Sequence, residues 1–280
     1  MKWLALLSAA LLAFVPARVF ADSPYPWPKS GEPARRLEAR VAPPEGFVRV
    51  AAPENSFAAW LRGLPIRDGR PFVKLYNGLW KFNQFAHYAV ADMDVGERDL
   101  QQCADSVIRL HAEYLFSRGR DADIAYDFTS GDRARWSDWL AGRRPQVSGN
   151  RVSFPQGRPV ARTYKNFRRY LDVVFGYAGT ISLRRELPAV SDPTRIRAGD
   201  VLIQAGSPGH AVLVLDVAEH PVTKQRVFLL GQGYMPAQEF HVLKNPEDGD
   251  LSPWYEADGR EEIETPQWDF VRADWRRLPG

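Results

Sequence analysis

The chain has 280 residues, with 37 Lys and Arg against 34 Asp and Glu, and a hydrophobic fraction of 45%. That near-neutral balance, with no basic block, gives no electrostatic case for a nucleic-acid partner. A single cysteine, Cys103, excludes an internal disulfide, so stability must come from packing.

The N-terminus places Met1-Lys2 ahead of an apolar run from Trp3 to Val15, followed by Val19-Phe20-Ala21. This is the pattern of a secretory signal peptide (residues 1–21) cut after Ala21, with an apolar core too short for a membrane span. The expectation is an exported protein, periplasmic in a Gram-negative host, monomeric and without a membrane span or cofactor. Loss of Lys2 and Arg18 with the leader leaves 35 basic against 34 acidic residues.

Residues 22–280 read as a single α+β domain. Residues 22–46 are proline-rich and predict an extended arm, with a short turn or strand at Arg35–Val41. Phe47-Val-Arg-Val predicts a strand, and Ser56–Arg62 a short capped helix. Phe72–Tyr76 and Leu79–Phe82 flank Asn77-Gly78, a hairpin signal. His87–Asp92 predicts another strand. A long helix should begin near Asp94, where Glu97 completes a capping-box spacing, and carry Leu100, Cys103, Val107, His111 and Tyr114 on its buried face. Short elements follow at Ile124–Phe128, Trp136–Leu140 and Val152–Phe154. Tyr164–Ile181 predicts a second long helix, interrupted late by Gly176 and Gly179.

Val201–Ile203 and Ala211–Leu215 are strands around a Gly/Ser/Pro loop, and Arg226–Leu230 and Phe240–Leu243 continue the sheet. Residues 245–280 predict an irregular tail. The order is helices first and a small antiparallel sheet last.

His210 sits where a glycine loop becomes a strand, the placement of a general base; a strand-end histidine bonded to a carbonyl is the plain alternative. A hairpin centred near Pro221–Val222 pairs residues whose numbers sum to about 443. His210 therefore faces the Gln232–Tyr234 stretch. Gln232 can orient the imidazole, with Tyr234 or Gln238 as alternatives for the third role. Cys103 is the candidate nucleophile, against the plain reading of a buried small hydrophobe. A start of its helix near Asp99-Leu-Gln-Gln would bring the positive helix end to the thiol and make Gln101 or Gln102 an oxyanion donor. Gln102, Gly209, Tyr234 and Gln238, with Trp254 and Tyr255 as a stacking pair, are the candidate substrate contacts. His111-Ala-Glu113 lacks paired cysteines and does not share a helix face, so no metal site is expected.

Cysteine on a helix, histidine opening a strand and a polar residue on the next strand is an order that resembles papain-like amidohydrolases, particularly small NlpC-type and CHAP-type cell-wall amidases. Gly199-Asp200-Val201 and Gly209-His210 resemble their strand-loop-histidine segment. The resemblance implies a papain-like arrangement and a cysteine amidase or peptidase acting on a small peptide or glycopeptide. The alternative function is a non-catalytic envelope protein that binds a glycan or peptide. Over nearly the whole mature chain, Asp99-Leu-Gln-Gln-Cys-Ala-Asp, Tyr170-Leu-Asp-Val-Val-Phe, Pro208-Gly-His-Ala-Val, Tyr234-Met-Pro-Ala-Gln and Ser252-Pro-Trp-Tyr resemble a family of exported bacterial proteins of unknown function. That family holds the Cys103, His210 and Gln238 positions but implies no activity.

Overall fold

Ten residues, His210–Glu219, form a strand whose first nine are all buried, because both faces of the sheet around it are covered. The computed structural model describes residues 23–27, 29–149 and 151–279; the signal-peptide reading of residues 1–21 lies outside them. On one face Ala211, Leu213 and Leu215 meet Ala104, Val107 and Ile108 in the larger apolar cluster. On the other, Val212 and Val214 meet Phe228, Leu230, Tyr255, Phe270 and Trp275. Strand alternation produces the two sets, and each buried Val or Leu contributes about 1.5–3 kcal/mol.

The sheet has eight strands among the described residues. Trp275–Arg277, Asp200–Gln204, His210–Glu219, Arg226–Gln232, His241–Leu243 and His87–Val90 lie in that order, each pair antiparallel. Val48–Arg49 adds to His210–Glu219, and Trp254–Glu256 adds to Arg226–Gln232. The α+β class therefore holds, but the expected order of helices first and sheet last does not. Both ends of the chain supply strands to the sheet, and the tail taken as irregular contributes Trp254–Glu256 and Trp275–Arg277.

Six helices complete the described fold: α1 (Leu37–Arg40), α2 (Phe57–Arg62), α3 (Cys103–Ser117), α4 (Trp136–Leu140), α5 (Tyr164–Tyr177) and α6 (Thr180–Glu186). Ser56 caps α2, its hydroxyl accepting from the Ala59 amide. The Asn77-Gly78 turn forms, with Gly78 at φ 82°, but only an isolated Lys74–Trp80 bridge pairs its arms. The helix expected over Tyr164–Ile181 is two, broken at Ala178-Gly179.

The start of α3 is the main correction. It begins at Cys103, not near Asp94, and its residues from Cys103 to Phe116 are all buried. Asp94 is engaged elsewhere. Its Oδ1 accepts from Arg109 Nη2 at 2.6 Å, and Arg109 Nη1 donates to the Asp94 carbonyl and, at 2.6 Å, to Gln101 Oε1. One fully buried arginine thus fastens the segment before the helix as irregular chain. The capping arm is instead formed by Asp105, whose Oδ2 accepts from the Gln102 amide at 3.1 Å.

A sheet irregularity between Val214 and Asp216 turns the Asp216 carboxylate, fully buried, toward two arginines. Arg49 Nε donates to Oδ2 at 2.7 Å and Arg62 Nε to Oδ1 at 2.6 Å. Removing the carboxylate strands both guanidinium groups in a low-dielectric setting. Asp216→Asn should therefore cost about 3–5 kcal/mol, read as a lower urea midpoint at unchanged m-value; a loss under 1 kcal/mol would show that the pair does not anchor the strand.

Candidate active site

The first turn of α3 is seated on backbone rather than on side chains. A Cβ at Gly233 would lie 2.2 Å from Ser106 Oγ and 2.9 Å from the Gln102 carbonyl, so only glycine lets the helix approach this closely. Asp99 fixes the approach, accepting from Gln102 Nε2 at 2.9 Å and from the Ala237 amide at 2.7 Å. Cys103 is then the first residue of the helix, where unpaired amides and the positive helix end converge.

The Cys103 sulfur lies 3.9 Å from the Gly209 carbonyl, and the Ala211 amide also hydrogen-bonds to it. It therefore rests against backbone on both sides of His210. Burial pushes the thiol up to about 11, with the Asp105 carboxylate adding to the rise; the Ala104, Ala211 and Cys103 amides oppose it.

The His210 ring is fully buried. Its Nε2 is 2.8 Å from Gln232 Oε1, while Nδ1 has no hydrogen-bond partner among the described residues. Tyr234, Trp268 and Phe270 surround the ring at centroid separations of 4.8, 5.3 and 5.9 Å. Burial in this aromatic box pulls the imidazole down to about 4, against the Gln232 hydrogen bond, which raises it; Lys81 lowers it further. At neutral pH both the thiol and the imidazole are uncharged.

A cleft of about 390 Å³ opens beside the thiol, with Gln102, Cys103, Thr180, Ser207, Gly209 and Met235 among its walls. The helix break at Ala178-Gly179 forms its far side. Gly209 has no room for a side chain, since a Cβ would meet Thr180 Oγ1 at 2.5 Å. The His210 ring and Gln232 stand behind this wall rather than in it.

Of the residues singled out from sequence, Cys103, Gln102, Gly209, His210, Gln232 and Tyr234 fall in one neighbourhood. Gln238 is buried beside Leu75, its Nε2 without a hydrogen-bond partner among the described residues, and it is not among the residues lining the cleft. Trp254 and Tyr255 are no stacking platform. Both are buried in a sheet strand, with Trp254 Nε1 donating to the Ala42 carbonyl at 2.8 Å and the Tyr255 hydroxyl donating to the Lys244 carbonyl. Gln101 is buried outside the walls of this cleft, its Oε1 accepting from Arg109 and its Nε2 without a hydrogen-bond partner among the described residues. His111 is a core residue, bonded to Tyr126 Oη and the Pro279 carbonyl, both at 3.0 Å.

Sequence reasoning missed Lys81, Trp268, Phe270 and Gln267. The alternation of Trp268 and Phe270 was the one available signal, and it lay in a tail without longer periodicity.

A comparison with family models places residues 37–277 in the family described as Domain of unknown function (4846), and the chain belongs to that family. No curated protein and no solved structure matches the chain. No helix among the described residues is long and apolar enough to cross a membrane.

His210 and His111 are each pulled down to about 4, and His87 and His241 also titrate below the ordinary value, chiefly through burial. Unfolded histidine binds a proton near pH 6.5 while these folded rings stay neutral, so stability falls as pH drops from about 6.5 to 4. His210 and His111 should each withdraw up to about 3 kcal/mol over that window. Thermal melts of His210→Gln against wild type at pH 7.5 and 4.5 check this: the variant's deficit should shrink at the lower pH, and an equal deficit at both would refute it.

Proposed function

We propose that the protein is an exported cysteine amidohydrolase that cleaves an amide bond in a small peptide or glycopeptide of the cell envelope. One observation carries the reading. The only thiol of the chain opens a buried helix and rests against the backbone on both sides of a histidine whose Nδ1 is bare and whose Nε2 is held by Gln232. The order of cysteine on a helix, histidine opening a strand and a polar residue on the next strand supports a papain-like arrangement.

In the proposed cycle the substrate amide enters the cleft and its carbonyl carbon meets the Cys103 sulfur. The thiol proton passes to His210 Nδ1 as the carbon–sulfur bond forms. In this cycle the Cys103 amide and the Gln102 Nε2 hydrogen not given to Asp99 donate to the developing oxyanion, and the proton on Nδ1 then moves to the departing amine as the carbon–nitrogen bond breaks. Water, deprotonated by the same ring, hydrolyses the thioester and restores the thiol. With the thiol near 11 and the imidazole near 4, this is base catalysis from a neutral pair and not attack by a standing thiolate.

A second reading has its own support. The histidine ring lies behind the cleft wall, which suits a non-catalytic cleft that binds a glycan or peptide. Alkylation of Cys103 by iodoacetamide separates the two. With His210 as base, wild-type labelling should be nearly flat close to pH 7, whereas His210→Ala, left with a thiol titrating near 11, should label at least tenfold more slowly at pH 7 and rise about tenfold per pH unit from 7 to 10. Identical profiles in wild type and His210→Ala would remove the base and with it the enzyme reading. Release of new amines from cell-wall peptide, abolished in Cys103→Ala, completes the case.

A further inference from the structure

Lys81 is buried, with 6% of its surface exposed, and has no carboxylate within ion-pair distance among the described residues. Burial alone pulls its amine down to about 8. Its sequence neighbours Trp80 and Phe82 are exposed, so the chain turns this one polar side chain inward from an otherwise outward-facing loop. The loop is fixed there: the Lys81 amide donates to the Val73 carbonyl at 2.9 Å, and Gln84 Nε2 donates to the Lys81 carbonyl at 2.7 Å. An unpaired buried ammonium costs stability, and its retention calls for a reason.

The reason lies in the direction of a hydrogen-bond chain. Lys81 can only donate while protonated, and Nζ reaches Gln267 Oε1 at 2.6 Å and His241 Nε2 at 3.2 Å. Gln267 must therefore present its oxygen. Gln232 Nε2 is 3.0 Å from that oxygen, so Gln232 must turn its nitrogen toward it. A second anchor agrees. The Glu239 carbonyl can only accept, and at 2.8 Å from His241 Nδ1 it places the proton there and leaves His241 Nε2 bare. That bare nitrogen, 3.3 Å from Gln232 Nε2, also demands a donor. Gln232 is left with its oxygen facing His210 Nε2 at 2.8 Å, which must carry the proton. Even an uncharged Lys81 keeps two N–H groups for its two bonds, so the direction survives its deprotonation.

We infer that Lys81 and His241, joined to Gln232 directly and through Gln267, are positioning residues that hold His210 in the tautomer protonated at Nε2 and bare at Nδ1. The inference rests on the reading of His210 as the base for Cys103, and it names what makes the free lone pair available on Nδ1. None of Lys81, His241, Gln232 and Gln267 lines the cleft.

The test is long-range ¹H–¹⁵N correlation spectroscopy at pH 7 on the full chain labelled in histidine, with His210→Gln assigning the resonance. Wild type should show His210 wholly protonated at Nε2. Lys81→Met with His241→Leu leaves the two glutamines free to flip together, and a comparable share of the Nδ1-protonated form should appear, with thiol labelling slowed by a similar factor. Lys81→Met alone keeps the His241 arm and should give a smaller share. Should the double variant fail to fold, Gln267→Leu cuts the Lys81 arm and should shift the tautomer in the same direction. An Nδ1-protonated ring in wild type, or an unchanged tautomer in the folded variants, overturns the inference. The tautomer is read without substrate, so a protein with no hydrolytic activity and a protein without this device give different results.

Discussion

The close approach of α3 to bare backbone is the constraint on which the site depends. A helix normally meets the element it packs on through interdigitated side chains. Here Gly233 removes the side chain at the point of contact, so the helix's opening residue reaches the strand backbone itself. Three side chains within one eleven-residue stretch maintain that contact. Arg109 fastens the segment before the helix, Asp99 ties it to the Ala237 amide, and Asp105 closes the first turn. The thiol is thus placed by polar groups around it, and no apolar contact of its own would suffice.

The same economy governs charge. Among the described residues, four histidines and a lysine are buried without carboxylate partners, and burial is the largest influence on the titration of each. A site built this way works by the direction of its hydrogen bonds more than by its net charge. Uncharged groups suit a reaction in which charge should appear only in the transition state. They also explain why the chain's overall composition said so little about its chemistry.

The sequence was legible where a signal was local. Centring the turn near Pro221–Val222 placed His210 opposite Gln232–Tyr234, and the observed register, Leu213 opposite Gly231, differs by one residue in the pairing sum. The start of α3 was misread because Asp94 and Glu97 have the spacing of a capping box, whereas Arg109, fifteen residues on, recruits Asp94 for another purpose. Glutamine is a weak N-cap, so Gln102 gave no competing signal. Strands of three residues in the tail pair with partners far along the chain, Trp275 with Leu202 for instance, and carry no periodicity of their own. Lys81 was invisible for a related reason: its neighbours in sequence face outward, and its neighbours in space come from residues 232, 241 and 267.

The strand that begins with His210 lies in the interior of the sheet, laddered to Asp200–Gln204 on one side and Arg226–Gln232 on the other. Amides in such a position open only with the whole domain. His210 and Gln232 are therefore expected in the slowest-exchanging unit of the fold. The rim is different. Gly206, Ser207, Gly176 and Gly179 lie outside the sheet's ladders, so the mouth of the cleft can change shape without disturbing the strands that hold the histidine.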